Sequence, residues 1–322
     1  MNQALESQTA ETEPENTFVV DAYEVGQRLD AFLAERIEGW SRSRLQSLIT
    51  NEDVLVNEKP AKSSYKLRQG DTVEVELVEI ATTAFEPENI PLDIVFEDEF
   101  LAVINKPARM VVYPGAGNET GTLANAMAHH FALGPSALAP RLGIVHRLDK
   151  DTSGLIVVAK DEQTAEELSR QFHDREVDKS YVALVHGHVE QTSGKIDRAI
   201  ARDRWHRTKM TVAANGRHAL SLWKVRKRYD KFTLVEVDIK TGRTHQIRVH
   251  LASINHPVVG DATYNEGRDN TIADQDLKKA VERLDRFFLH AEKLSFTHPK
   301  TGERMDFEQP LPEELQDFLA KI

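Results

Sequence analysis

The sequence predicts an α+β protein in two parts, and three observations carry that prediction. At 322 residues the chain is long enough for two domains of roughly 150 residues each. A compact run of helix and strand patterns fills residues 17–80, and residues 81–90, Ala-Thr-Thr-Ala-Phe-Glu-Pro-Glu-Asn-Ile, read as a linker. In 91–322, strand and helix patterns follow one another without the regular alternation of a doubly wound sheet, which favours α+β.

Each element follows from its pattern. Residues 1–16 are rich in Glu, Thr and Gln, lack apolar periodicity, and are expected to form a disordered acidic tail. Leu29, Phe32, Leu33 and Ile37 fall at i, i+3, i+4 and i+8, one face of a helix. Ser41 offers an N-cap for a second helix burying Leu45, Leu48 and Ile49. Val54-Leu55-Val56, the turn Asn57-Glu58-Lys59-Pro60, and the alternating Val73, Val75 and Leu77 complete the small unit. Further on, Ile94-Val95-Phe96 and residues 101–104 flank Glu97-Asp98-Glu99 as a hairpin, and the apolar run 154–159 is a buried strand. Asp161 caps a helix burying Ala165, Leu168 and Phe172, and strands follow around 181–186 and 232–239. After the Gly242 turn, residues 244–254 read as a helix burying Ile247, Leu251 and Ile254, and the charged stretch 265–286 as a surface insertion.

Composition excludes several function classes. Without cysteine there is no disulfide, no thiolate nucleophile and no sulfur-ligated zinc. The longest apolar runs, such as 155–159, fall far short of the ~20 residues of a membrane span, and the polar amino terminus is unlike a secretory leader. A cytoplasmic monomer is expected. The net charge of −11 argues at first against nucleic acid, but its distribution argues the other way. Residues 1–24 hold six acids and no base, whereas residues 198–228 hold ten bases, among them Arg204, Arg207 and Lys209, against the single acid Asp203. A solvated basic face would account for the charge alone. Trp205, His206 and Trp223 are interleaved with it, and planar groups among bases suit stacking on nucleobases, so an RNA surface is the favoured reading.

Two polar clusters could carry chemistry. His146-Arg147-Leu148-Asp149-Lys150-Asp151-Thr152-Ser153-Gly154 leads into a buried strand, a rigid mount for a reactive side chain. Asp149, Asp151, Ser153 and Gly154 match early positions of a calcium loop, but Lys160 stands where its bidentate acid belongs. Turn capping suffices for Asp151 and Ser153. In the second cluster, residues 241–250, His245 and Arg248 share a helix face away from Ile247 and Leu251. His245, His250 and His256 lie five and six apart, which does not fit a helical metal pair. Arg248, polar beside a buried stripe, suits pairing with a carboxylate. Phosphate-loop, dinucleotide, zinc-protease and hydrolase motifs are missing from the sequence. The residues alone lead to an RNA-associated protein and allow an Asp-dependent enzyme that uses no cofactor and no metal.

The first cluster, extended through Leu155, resembles the signature of the RluA family of pseudouridine synthases. Asn105-Lys106-Pro107, Lys179-Ser180-Tyr181 and Thr241-Gly242-Arg243-Thr244-His245-Gln246-Ile247-Arg248-Val249-His250 match further family stretches in the family's order. Residues 18–80 look like an S4 RNA-binding domain, with Arg42 and Arg44 on its second helix. The resemblance implies a catalytic domain built on a mixed, mostly antiparallel sheet flanked by helices and loops. Val112-Tyr113-Pro114-Gly115-Ala116-Gly117-Asn118 and residues 202–210 are most similar to members acting on the helix 69 stem-loop of 23S ribosomal RNA, although Tyr113 replaces an expected His.

The family reaction detaches uracil from C1′, turns the base and rejoins it through C5. By resemblance Asp149 is the carboxylate that attacks C1′ or removes a C2′ proton, and Arg248 is its ionic partner. Arg147 would fill the space left by the flipped base, and Tyr181 would pack on the uracil and assist at C5. Lys106 would support the site electrostatically, Leu294 would line the pocket, and Arg243 and His245 would contact RNA. The resemblance implies neither metal nor organic cofactor. Other readings are a family member acting on tRNA or another 23S site, or a non-catalytic S4-type ribosome-assembly factor. A glycoside hydrolase would need a second carboxylate.

Overall fold

A computed structural model describes residues 16–37, 40, 42–50, 53–75, 86–114, 118–131, 143–206 and 209–322. The acidic tail before Asn16, the Ser41 cap, Leu77, residues 81–85, Arg207 and the Arg44 side chain lie outside what is described. The chain divides into two compact units, Met1–Ala84 and Phe85–Ile322.

The first unit contains β1 (Asn16–Val19), α1 (Leu29–Arg36), α2 (Arg42–Thr50), β2 (Val54–Val56), β3 (Lys59–Pro60) and β4 (Thr72–Val75), with its strands in antiparallel order β1-β4-β2-β3. Asn16, assigned by its composition to the tail, already pairs with Val75. The periodic residues of both helices pack on Val54, Val56, Val73 and Val75 as one core, each large side chain contributing roughly 1.5–3 kcal/mol. Under α2 the fully buried Asp30 accepts from Arg28 at 2.9 Å and Gln46 at 2.7 Å and pairs with Arg42 at 3.1 Å. Burial raises the Asp30 carboxyl, and these donors outweigh it and hold it well below the usual range.

The second unit runs β5 (Ile94–Glu97), β6 (Leu101–Lys106), α3 (Leu123–His130), β7 (Ser153–Ala159), α4 (Glu162–Asp174), β8 (Asp178–His186), β9 (Ser193–Asp197), β10 (Ile200–Arg202), β11 (Met210–Val212), β12 (Leu220–Arg228), β13 (Phe232–Ile239), α5 (Gln246–Ser253), α6 (Gln275–Leu284), β14 (Leu289–Thr297), β15 (Arg304–Glu308) and α7 (Glu313–Leu319). Its main sheet has the order β5-β6-β7-β14-β8-β13-β12-β9, with β15 paired to β14. The β7–β14 pairing is parallel and the other named pairings are antiparallel, so the sheet is mixed and the fold α+β. Every residue of β7 is buried, as its unbroken apolar run requires of a strand covered on both faces. Leu123, Ile247, Val281, Leu284, Leu315 and Phe318 from α3, α5, α6 and α7 pack into one core cluster, and Leu168 of α4 packs into another with Leu101, Leu155 and Phe296.

Two expectations change. Residues 265–286 are no mere surface insertion: α6 buries Val281 and Leu284, and Asp269 lies 2.7 Å from His186. Leu277, Ala280, Val281 and Leu284 do carry helical spacing, which the surrounding charges obscured. The basic stretch also contains β12, and part of its charge is consumed inside the fold. Arg226 pairs with Glu236 and Glu292, Arg228 donates to the carbonyls of Val189, Glu190 and Gln191, and Trp223 is buried beside Gly194. Trp205, by contrast, is 89% exposed beyond β10, where Asp203 accepts the N–H groups of Trp205 and His206 in a tight turn.

Candidate active site

The loop before β7 is pinned from below. The His146 ring stacks on Phe172 at 4.5 Å, and its Nε2 accepts the Val157 N–H at 3.0 Å. Burial, with Lys179 adding, lowers the His146 pKa to about 3, so the ring is neutral and its role structural. Leu148 is buried, while Arg147 is exposed and Asp149 partly so; the loop alternates inward and outward. Lys106, fully buried at the end of β6, donates to the carbonyls of Pro107 at 2.7 Å, Met110 at 2.9 Å and Lys150 at 3.2 Å. Burial pushes its pKa down to about 7, yet three carbonyl acceptors match the three protons that only the ammonium carries. Lys106 therefore staples the loop next to Asp149 and is too deep to touch RNA.

Tyr181 reaches the same place from β8, across β14, whose Ala291 pairs with it. Burial raises its phenol pKa, and the Asp149 charge raises it further. Arg248 comes from α5. The turn before that helix is locked by Gln246 Oε1, which accepts from Thr241 Oγ1 and the Arg243 N–H, and His245 takes a left-handed conformation at φ 55° to start the helix. Arg248 donates from Nη1 to Asp149 Oδ2 at 3.2 Å. Its Nε and Nη2 donate to the two oxygens of Asp261 at 2.7 and 2.8 Å, and its guanidinium lies 4.2 Å from the Phe287 ring centroid and 4.9 Å from that of Tyr264.

Two clefts meet at this loop. One, of about 810 Å³, is lined by Arg147, Arg175, Lys179, Tyr181, Lys240, Arg243 and Arg248, and Asp149 is its one acid among the described residues. The other, of about 600 Å³, shares Arg147, Asp149, His245 and Arg248 but is rich in acids, including Asp151, Glu282 and Asp285. A cationic cleft around a single carboxylate suits a polyanion whose reacting atom lies near Asp149.

A family model for RNA pseudouridylate synthases matches residues 100–253, and one for the S4 domain matches 27–73. Ribosomal large subunit pseudouridine synthase D of Nitrosomonas europaea is 44% identical over 298 residues, covering 92% of this chain and 85% of that one. The chain belongs to the RNA pseudouridine synthase family. It is also 40% identical over 297 residues to YlyB of Bacillus subtilis, named an uncharacterized RNA pseudouridine synthase, covering 92% and 94% of the two chains. The structure of human RNA pseudouridylate synthase domain containing 1 aligns with a TM-score of 0.56 at 28% identity, covering 70% of this chain and 85% of that one.

In the synthase, Arg147, Asp149, Tyr181, Arg243, His245 and Arg248 all line the basic cleft, as a shared site requires. Burial lowers the His245 pKa, so its ring adds hydrogen-bonding capacity rather than charge. Leu294 does not line it. The residue lies beyond the irregularity in the β14–β8 register between Ala291 and Lys293 and packs into the cluster with Leu155 and Phe296, and Leu289 lines the cleft instead. Arg204 is exposed and Lys209 partly so, beside Trp205. Arg42 is half-exposed, with one edge on Asp30. The sequence reading passed over Asp261, Tyr264, Arg175, Lys179 and Lys240; of these, Lys179 stood inside a matched stretch, and Asp261 followed a Val-Val-Gly turn without any cue to its partner. Among the described residues no group of three or more His, Asp or Glu could hold a metal ion, and no helix is long and apolar enough to cross a membrane.

Proposed function

We propose that the synthase converts uridines of large-subunit ribosomal RNA, in the helix 69 stem-loop of 23S rRNA, to pseudouridine, with Asp149 as its catalytic carboxylate. The observation that carries this reading is the cationic cleft closing on one carboxylate, between a tyrosine ring and an arginine. Relatives named for the large ribosomal subunit, matching over most of the chain, support the choice of RNA. The target uridine leaves its stack at a cost of a few kcal/mol, and exposed Arg147 takes the vacated space. Asp149 Oδ2 is held by Arg248, which leaves Oδ1 toward the ribose as the N1–C1′ bond breaks. The freed uracil keeps the electron pair of the broken bond at N1 and turns against the Tyr181 ring; C5 then bonds to C1′, the C5 proton passes to solvent, and N1 takes up a proton, so that product and substrate are isomers. Burial and the Asp149 charge both raise the Tyr181 pKa, which favours the phenol as packing surface and hydrogen-bond donor beside the base.

The test follows tritium release from [5-³H]uridine in unmodified 23S rRNA and in large-subunit precursors, with carbodiimide-blocked primer extension to map the product. Release by wild type but not by Asp149→Asn, with stops in helix 69, is expected. Release with stops elsewhere would move the target, and equal release by the Asn variant would remove Asp149 from its role.

A further inference from the structure

We infer that Asp261 is a positioning residue of the reaction: it grips Arg248 along the Nε–Nη2 edge, so that the guanidinium offers Asp149 a single N–H from Nη1. This inference rests on the proposed role of Asp149. A guanidinium fork facing a carboxylate normally closes on it with two parallel bonds. Here that two-point closure goes to Asp261, at 2.7 and 2.8 Å, while Asp149 receives one bond at 3.2 Å. Burial follows the same order, with Asp261 1% exposed and the Asp149 side chain 17%. Arg248 and Asp261 thus form a closed, desolvated pair, and Asp149 leans on its free corner. A carboxylate held at one oxygen keeps the other for the substrate; one clamped at both would have to break an ion pair to react.

The surroundings make Asp261 a fixed anchor. Gly260 takes φ +78°, and a Cβ there would stand 2.3 Å from the Arg286 carbonyl oxygen, so the turn delivering Asp261 admits no other residue without shifting. Asp261 Oδ1 also accepts the Thr263 N–H at 3.1 Å and the Tyr264 N–H at 3.3 Å. Tyr264 then lies beside the guanidinium, and its hydroxyl accepts the Met210 N–H at 2.8 Å and lies 2.7 Å from His245 Nδ1. A neutral core partner would need only to satisfy Arg248; this one dictates which edge of Arg248 faces Asp149.

Asp261→Asn keeps the shape and the Oδ1 acceptor but turns an NH₂ toward Arg248 Nε, which breaks the grip. Under single-turnover conditions on the same RNA, the rate should fall about 100-fold while RNA affinity stays within about twofold, since ångström-scale misplacement of a catalytic group costs that much. In an Arg248→Lys background, where the fork is already gone, Asp261→Asn should add nothing. An undiminished rate in the single variant, or the same fold loss on top of Arg248→Lys, would overturn the inference. Should Asp261→Asn fail to fold, nitrogen-15 spectra of the wild type decide: Arg248 Nε–H should be shifted downfield and protected from exchange, and a freely exchanging signal refutes the grip. A wild type that releases no tritium from any RNA would sink the parent reading, and leave the spectrum to judge the grip alone.

Discussion

Replacing Gly154 with alanine tests whether the loop carrying Asp149 is held by backbone packing of β7 on β14. Gly154 pairs with Ala291 in the parallel ladder and takes φ +111°, which L side chains rarely adopt. A Cβ built there stands 2.2 Å from the Ala291 carbonyl oxygen, and 2.8 Å from both its carbonyl carbon and its amide nitrogen. Such contacts essentially never fall below 3.0 Å, so the strands must part by about 0.8 Å, against rigid backbone rather than a flexible side chain. The left-handed backbone costs about 1–2 kcal/mol and overpacking about 1–3 more, roughly 2–5 in total. At about 2–4 °C per kcal/mol for a unit of this size, calorimetry should show the Phe85–Ile322 transition lowered by about 4–20 °C. The shift also drags on Ser153, whose Oγ lies 2.9 Å from His290 Nδ1 and accepts from Arg286, so tritium release should fall about 10–100-fold in protein still folded at assay temperature. A transition within 1–2 °C of wild type, with full activity, would refute the reasoning about this seam.

Two further outcomes follow. His146 is neutral in the fold with a pKa near 3, whereas an unfolded histidine titrates near 6.5. The unfolded chain therefore takes up a proton first, and the stability present above pH 6.5 is lost as pH falls toward 3. His146→Gln, which keeps an acceptor for the Val157 N–H, should lose about 3 kcal/mol less than wild type between pH 7 and pH 4 in urea titrations, and equal losses would mean the ring is not held neutral. The basic stretch should split in two. Charge reversal of Arg204, Arg207 and Lys209 should weaken RNA binding and flatten its salt dependence by about one unit of slope per lost phosphate contact. Arg226→Gln should leave that slope unchanged and cost about 1–3 kcal/mol of stability, because it strands Glu292. A fall in salt slope from Arg226→Gln would put that residue on the RNA face instead.

Much of the fold was legible because its signals are local. The helical spacing of Leu29, Phe32 and Leu33 marked α1, the unbroken run 154–159 marked a strand buried on both faces, and Asp161 does cap α4 by accepting the Thr164 N–H. What escaped depends on partners far away in the chain. Arg226 reads as surface charge until β12 pairs with β13 and β14 brings in Glu292. The packing of Leu294 with Leu155 and Phe296 follows an irregularity in the β14–β8 register between Ala291 and Lys293, which no local pattern announces. Arg248 called for a carboxylate, and the family resemblance supplied Asp149; Asp261, which takes two of its N–H groups, had no cue in the sequence reading. Family resemblance brought Asp149, Tyr181 and Arg248 to notice together, and the geometry adds how unequally the guanidinium is shared.

The place of β14 in the sheet has a consequence for how the molecule is made. It lies between β7 and β8, so it separates the strand behind Asp149 from the strand bearing Tyr181 and binds both. The Ser153–His290 contact that closes this seam spans 137 residues. Chains emerge amino terminus first, and pairings across such a span close late. A growing chain can thus hold Asp149 and Tyr181, already synthesised, with β7 and β8 presenting open edges to each other and no strand yet to join them. Joining the two strands waits for β14, and until it emerges those two edges are the sites most exposed to mispairing.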